Sequence, residues 1–167
     1  MPVPGLRREK VALSEVTGEN SEERSFKMDF KMDIDVIRDA LKGNDLFKGL
    51  DQILLEVLIA KAGSRQFSAG ETVYQKGEDT GGSIALIISG TVNVEAENGY
   101  VLNELGTGEV IGEVGTITQE GKRTVTITTV EPTEIIEWYI QDIEESAPEL
   151  LKRLKDLAWK RIKYWNE

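Results

Sequence analysis

The chain has 167 residues and a formal net charge of −10, and it contains neither cysteine nor histidine. This length fits one domain that buries roughly 70% of the surface its unfolded chain exposes. The missing residue types exclude disulfides, thiolate and imidazole metal sites, and nucleophiles activated by an imidazole base. The negative charge disfavours nucleic acid, whose binding depends on neutralising phosphates. We therefore predict no metal, no cofactor, no catalytic residue and no nucleic-acid partner.

The sequence carries no signal for a membrane or for export. Its longest strongly apolar run, 84–88, is far shorter than the roughly 20 residues of a membrane-spanning helix. The basic pair Arg7-Arg8 is not followed by an apolar stretch, so no signal peptide is predicted. We expect a cytoplasmic protein without a membrane partner.

The N-terminal third divides into a polar arm over 1–30 and a helical region over 31–62. The arm combines acidic residues, proline and glycine with little apolar periodicity. Asp33 is expected to cap a first helix that ends near Gly43, and a second helix follows from Asp51. Their apolar sides are predicted to consist of Ile34, Ile37, Ala40 and Leu41 in the first helix and Ile53, Leu54, Val57, Leu58 and Ala62 in the second.

The region 63–139 shows short β-rich runs separated by turn residues, a spacing typical of a sandwich or barrel. Asn98-Gly99 is the strongest hairpin signal, because both residues tolerate the positive φ of a two-residue turn. The predicted strands are 72–74, 84–88, 91–96, 100–102, 124–130 and 134–139.

Helical periodicity returns over 140–167. Ser146 is expected to cap the last helix, with Pro148 in its first turn and Glu149 three residues after the serine. The apolar stripe of this helix approximates a short heptad seam, which favours a parallel homodimer. The stripe consists of Leu150, Leu151, Leu154, Leu157, Ala158, Ile162 and Trp165.

The segment 109–127 concentrates groups that suit a phosphorylated sugar. Gly112 and Gly115 let backbone amides approach an anion, and a short helical turn near Gly112 would direct its N–H groups there. Arg123 offers a bidentate contact to phosphate, and Glu113 accepts hydrogen bonds from a sugar hydroxyl. The alternative is that Gly112 marks a turn, Glu113 a solvated face and Arg123 the edge of a strand.

Electrostatics ranks these groups. A carboxylate about 7 Å from a phosphate repels it by about 2.4 kcal/mol at an effective dielectric constant of about 20, whereas an arginine about 4 Å away attracts it by about 4 kcal/mol. The attraction of Arg123 for the phosphate must therefore outweigh the repulsion by Glu113. A dinucleotide site is rejected because Ile111 stands where the glycine motif of such sites requires glycine. A metal-dependent cupin is rejected because its metal needs histidine ligands.

From residue 46 to about 157 the chain resembles the cyclic nucleotide-binding domain family. The segments that carry the resemblance, in the family's order, are Leu46-Phe47-Lys48-Gly49-Leu50, Gln66-Phe67-Ser68-Ala69-Gly70-Glu71, Lys76-Gly77-Glu78, Ile88-Ser89-Gly90, Leu105-Gly106 through Gly108, Ile111-Gly112-Glu113-Val114 and Arg123-Thr124-Val125-Thr126. The resemblance implies a mainly β fold, a double-stranded, jelly-roll-like β-roll with N-terminal helices and a C-terminal lid and dimer helix. It places the phosphate-binding cassette near 108–127.

The resemblance also implies roles for individual residues. Glu113 matches the ribose-binding acid, Arg123 the phosphate-binding arginine, and Gly112, Val114 and Gly115 the turn whose amides reach both groups. Thr124 follows the arginine, a position where some members use a hydroxyl to contact the guanine of cGMP. Other members with threonine there prefer cAMP, so the resemblance does not decide between cAMP and cGMP. The last helix resembles a lid, and Lys155 and Trp159 are its candidate base contacts.

Four departures accompany this resemblance. Ala85-Leu86 stands where an aromatic pair is common, and Ile111 where phenylalanine is usual. The loop 116–122 is about one residue longer than in the best-known members, and Glu109 and Glu120 add negative charge near an anion site. Two hypotheses follow. The domain is a non-enzymatic sensor that binds cAMP or cGMP and moves its C-terminal helix for an unknown protein partner, or it is a ligand-free roll with a structural or dimerisation role.

Overall fold

The structure is a computed structural model that describes residues 32–118 and 121–165, with side chains described up to residue 163. The predicted polar arm, 1–30, lies outside the described residues. The helices are α1 (Ile34–Lys42), a 3-10 helix (Asp45–Phe47), α2 (Gln52–Lys61), α3 (Glu113–Ile117), α4 (Ile140–Ser146) and α5 (Pro148–Trp165). The strands are β1 (Gly63–Phe67), β2 (Thr72–Tyr74), β3 (Ser83–Ser89), β4 (Thr91–Glu95), β5 (Val101–Gly106), β6 (Val110–Ile111), β7 (Thr126–Thr129) and β8 (Thr133–Tyr139).

The eight strands in the described part of the chain form two four-stranded sheets. The order is β1-β8-β3-β6 in the first sheet and β2-β7-β4-β5 in the second. Every neighbouring pair is antiparallel. The predicted β-roll with flanking helices is confirmed.

Strand β3 shows how the roll divides its two cores. Its side chains alternate between the two faces of the first sheet, as the strand period requires. Ile84 and Leu86 face the helices. Ala85 and Ile87 face the second sheet, inside the roll. The first sheet is therefore apolar on both faces, which explains why β3 reads as a continuous apolar run.

The helices cover the outer face of the first sheet around Trp138. This side chain is 1% exposed, donates Nε1–H to the carbonyl of Leu58 at 2.7 Å, and has its ring 5.8 Å from that of Phe47. In α1 the Asp33 side chain accepts from the amide of Asp35, so the predicted cap is confirmed.

The predicted apolar faces of the first two helices are wrong at one residue each. Ile34 is 52% exposed and Ile53 is 72% exposed, whereas Leu55 and Ile59 are buried. Helix α2 is apolar around most of its circumference, so its periodicity alone does not select the buried face.

The predicted hairpin forms, but its turn is longer than expected. The amide of Gly99 donates to the carbonyl of Ala96 at 2.9 Å, and Ala96 N–H donates to Tyr100 O at 2.8 Å. Gly99 has φ +85° and follows the turn instead of occupying its centre. Two strands were missed: β1 begins with the polar run Gly63-Ser64-Arg65-Gln66, and β6 has two residues.

Helix α5 begins at Pro148, and Ser146 is the last residue of α4. The prediction that Ser146 caps the last helix is therefore wrong. The helix is tied to the 3-10 helix in the N-terminal part of the domain. Arg153 donates to the carbonyls of Leu46 and Lys48 at 2.7 and 2.8 Å. Asn44, at the start of the 3-10 helix, donates to the carbonyl of Gly108 at 2.7 Å. These contacts join the N-terminal helices, α5 and the loop before β6.

Most of the predicted α5 stripe packs within the chain. Leu154 and Ala158 are at most 1% exposed, whereas Trp159 is 63% exposed; the side chain of Trp165 lies outside those described. Across residues 32–118 and 121–165, none of the helices is long and apolar enough to cross a membrane. The same residues contain no group of three or more acidic side chains that could hold a metal ion.

Candidate functional site

A pocket opens where α3 and the loop before β7 meet α5. Its empty space of about 330 Å³ includes volume that is open to solvent. Six of its lining residues are the predicted ones: Gly112, Glu113, Val114, Gly115, Arg123 and Thr124. The remaining lining residues are Tyr74, Leu105, Ile111, Val125, Ile127 and Arg161. The candidate base contacts Lys155 and Trp159 are exposed and are not among the described lining residues.

Gly112 shapes the entry to α3. It is the residue before the helix and has φ +83°, a conformation that glycine adopts without strain. A Cβ built on it would lie 2.6 Å from Nη1 of Arg123. At Gly115 a Cβ would lie 2.3 Å from the carbonyl oxygen of Lys122. Both glycines therefore let the loop carrying Arg123 pack directly on α3.

Arg123 is 5% exposed. Its Nη1 donates to the carbonyls of Ser83 and Gly112 at 3.0 and 3.1 Å. Its Nη2 donates to the carbonyl of Thr80 at 3.0 Å and to Oγ of Ser83 at 2.8 Å. These four bonds use all four Nη protons, and the buried Nε has no hydrogen-bond partner. The predicted bidentate contact thus requires one Nη bond to be exchanged, whereas Nε, although buried, has no hydrogen bond to lose.

Glu113 is 1% exposed and pairs with Arg161 of α5. The distance from Nη1 of Arg161 to Oε2 of Glu113 is 2.9 Å. Arg161 also donates to the carbonyl of Val110, and its Nη2 lies 3.4 Å from Oε1 of Glu109. Burial raises the pKa of Glu113, and the positive charge of Arg161 opposes this shift. The alternative of a solvated Glu113 and a strand-edge Arg123 is wrong, because both side chains are buried.

The profile of the cyclic nucleotide-binding domain family matches residues 64–146. This part of the chain belongs to the cyclic nucleotide-binding domain family. The resemblance drawn from the sequence is confirmed. No curated protein matches the chain.

Solved structures share the fold of this cyclic nucleotide-binding domain. The regulatory subunit of a cAMP-independent protein kinase A from Trypanosoma brucei has a TM-score of 0.68 at 19% identity, over 75% of this chain and 46% of that one. The regulatory domain of Toxoplasma gondii protein kinase A, solved with cAMP, has a TM-score of 0.60 at 23% identity, over 77% and 47%. The catabolite activator protein of Thermus thermophilus has a TM-score of 0.61 at 26% identity, over 71% and 58%. The chain spans about half the length of these proteins.

Two residues of the site were missed in the sequence. Arg161 lies three residues after Ala158 and seven after Leu154, so it occupies a position of the buried stripe of α5. A charged residue on an apolar stripe is the signal that could have found it. Tyr74 was predicted only as a strand residue, and no local pattern indicates that its ring reaches Arg123.

Replacing Gly112 by alanine is expected to destabilise the cyclic nucleotide-binding domain by about 2–4 kcal/mol, because a Cβ there combines backbone strain with overpacking against Arg123. Gly99→Ala is the matched control, since its φ is +85° and a Cβ there meets nothing within 4 Å. It should cost only about 1 kcal/mol. Urea unfolding measures both; equal losses would contradict close packing at Gly112.

The titration of Glu113 is expected to make stability depend on pH. Burial raises its pKa above the ordinary 4.5, so the folded state binds more protons than the unfolded state from pH 4.5 up to the raised value. The free energy of unfolding of the wild type, relative to Glu113→Gln, should therefore fall as pH rises through this window. Urea unfolding from about pH 4 to about pH 7 measures this, and a difference that is flat or rises would contradict it.

Proposed function

We propose that the pocket binds a cyclic nucleotide, cAMP or cGMP, and that the domain is a sensor and not an enzyme. The observation that carries the proposal is the state of Arg123. Its buried guanidinium bonds only to neutral acceptors, and none of the ion pairs among the described residues includes it. A buried cation without an anionic partner is costly, and a phosphate would supply that anion.

The other pocket residues suit the rest of the ligand. Glu113 supplies a carboxylate that accepts a ribose hydroxyl, and Gly112, Val114 and Gly115 bring backbone amides of the first turn of α3 to the same pocket. Thr124 follows Arg123 and also lines the pocket, and its hydroxyl is the proposed contact to the base. The Toxoplasma gondii regulatory domain was solved with cAMP, so cAMP is the first ligand to test.

Arg161 supports coupling between the ligand and the C-terminal helix. It joins α5 to Glu113, the proposed ribose acceptor, at 2.9 Å. A ribose hydroxyl on Glu113 would change the partners of the carboxylate and hence the free energy of docking α5. Ligand binding shifts the position of a helix only if the two positions differ in affinity for that ligand. Lys155 and Trp159 are exposed, so α5 would have to move for either to cover a base.

Calorimetric titration of the wild-type protein with cAMP, and separately with cGMP, tests the proposal. We expect saturable binding of at least one cyclic nucleotide and much weaker binding of 5′-AMP, which lacks the cyclic phosphate. Absence of binding to both would favour the ligand-free structural module. The cytoplasmic location, the protein partner and the homodimer through α5 remain predictions. The exposed side of α5 carries Trp159, which such a dimer would cover.

A further inference from the structure

Tyr74 lies directly against Arg123 inside the roll. It ends strand β2, is 4% exposed, and its ring centroid is 3.7 Å from Cζ of Arg123. A Cβ on Gly112 would lie 2.6 Å from Nη1 of Arg123 and 2.9 Å from Cε2 of Tyr74. Tyr74 and Gly112 therefore both pack closely against the guanidinium, and the ring face attracts the cation.

Tyr74 is itself held by a buried carboxylate. Its hydroxyl donates to Oε2 of Glu137 at 2.8 Å, and Glu137 is 3% exposed. Arg65 approaches the other oxygen of Glu137 at 3.4 Å. Burial, and next the negative charge of Glu137, raise the pKa of Tyr74, so its hydroxyl stays a donor at neutral pH. A phenol that donates to a carboxylate has a more electron-rich ring, which strengthens its attraction for a cation.

The two sheets make room for this contact. Tyr74 belongs to the second sheet and Glu137, on β8, to the first. The cross-strand neighbours of Glu137 are Gly63 on β1 and Ala85 on β3, so neither of these neighbours places a large side chain beside the carboxylate. Ala85 is one of the positions where the chain departs from the aromatic pair of the family. The departure leaves space for the Tyr74–Glu137 bond across the roll.

We propose that Tyr74, anchored by Glu137, is a positioning residue for Arg123 that fixes the plane of the guanidinium and leaves Nε for an anion. The proposal rests on the proposed function of Arg123 as the phosphate contact. The four hydrogen bonds of Nη1 and Nη2 hold the edge of the guanidinium, and no carboxylate among the described residues pairs with it. The ring adds support to a face of the guanidinium, which hydrogen bonds from its edge do not provide.

A double-mutant cycle with cAMP tests whether Tyr74 acts through Arg123. In the wild-type background, Tyr74→Leu should weaken cAMP binding about tenfold, and Tyr74→Phe, which keeps the ring but loses the bond to Glu137, about threefold. In the Arg123→Lys background, Tyr74→Leu should cost less than about twofold. Equal losses in both backgrounds would mean that Tyr74 only supports the fold, and would overturn the proposal. If Tyr74→Leu does not fold, Tyr74→Phe provides the same comparison.

A second measurement does not need a ligand. In the empty protein, the Nε–H proton resonance of Arg123 should be shifted upfield by the ring of Tyr74, and Tyr74→Leu should remove that shift. Tyr100→Leu, at a tyrosine that is 68% exposed, is the control and should leave the resonance unchanged. An unchanged resonance in Tyr74→Leu would overturn the positioning role. If the wild type binds no cAMP but the shift is present and lost as expected, the proposed function fails and the positioning role stands.

Discussion

Arg123→Ala is expected to weaken cyclic nucleotide binding by at least about 100-fold. The substitution removes the buried cation, and hydrogen bonds to charged groups contribute about 1.5–3 kcal/mol each, where 1.4 kcal/mol is a tenfold change in affinity. The long-range attraction of the guanidinium for the phosphate is lost as well. Calorimetric titration with cAMP and cGMP measures the loss.

Two controls separate binding from folding and from net charge. Lys122→Ala removes the same formal charge next to Arg123, but the Lys122 side chain is 59% exposed and pairs with Asp79, so it should bind within about twofold of the wild type. Arg123→Lys keeps the charge but loses the planar donor set, so it should fall between alanine and wild type. Binding by Arg123→Ala at the wild-type level would exclude Arg123 as the phosphate contact.

Arg161→Met is expected to lower the free energy of unfolding by about 3–5 kcal/mol, because it leaves the carboxylate of Glu113 buried without its cationic partner. It should also raise the pKa of Glu113 further, since the opposing positive charge is gone. Glu113 then holds a proton at higher pH and becomes a poorer acceptor for a ribose hydroxyl. We expect cAMP binding to weaken about tenfold at neutral pH, measured by calorimetry beside urea unfolding.

Arg153→Met is the matched control on the same helix. Arg153 bonds to the carbonyls of Leu46 and Lys48, away from the pocket, so its loss should cost about 1–3 kcal/mol of stability and leave nucleotide affinity unchanged. The double variant Arg161→Met/Glu113→Gln should be more stable than Arg161→Met alone, because the unpaired charge is removed. A double variant with no such recovery would show that the pair is not what Arg161 contributes.

The sequence was most informative where the chemistry is local. Gly112, Glu113 and Arg123 lie within twelve residues of one another, so the sequence alone groups them as one candidate site without knowledge of the fold. All three line one pocket. Arg161 lies 38 residues beyond Arg123, and only the docking of α5 brings it to Glu113.

Some helices and strands were predicted incorrectly, and each error has a physical reason. Strand β1 begins with polar residues, so it has no apolar alternation, and its pairing with β8 depends on tertiary contacts. The face of α2 could not be selected because the helix is apolar nearly all round. The sequence also could not predict that Nε of Arg123 has no hydrogen-bond partner, because this depends on acceptors at Thr80, Ser83 and Gly112 that only the fold brings together.

The hydrogen bond from Asn44 to Gly108 closes a triangle with the contacts of α5. One side runs from α5 through Arg161 to the strand before α3, a second from α5 through Arg153 to the 3-10 helix, and the third is Asn44 to Gly108. A shift of any one of these three parts would strain its hydrogen bonds to the other two. Displacement of α5 would therefore act on the N-terminal helices as well, so the two ends of the domain are mechanically coupled.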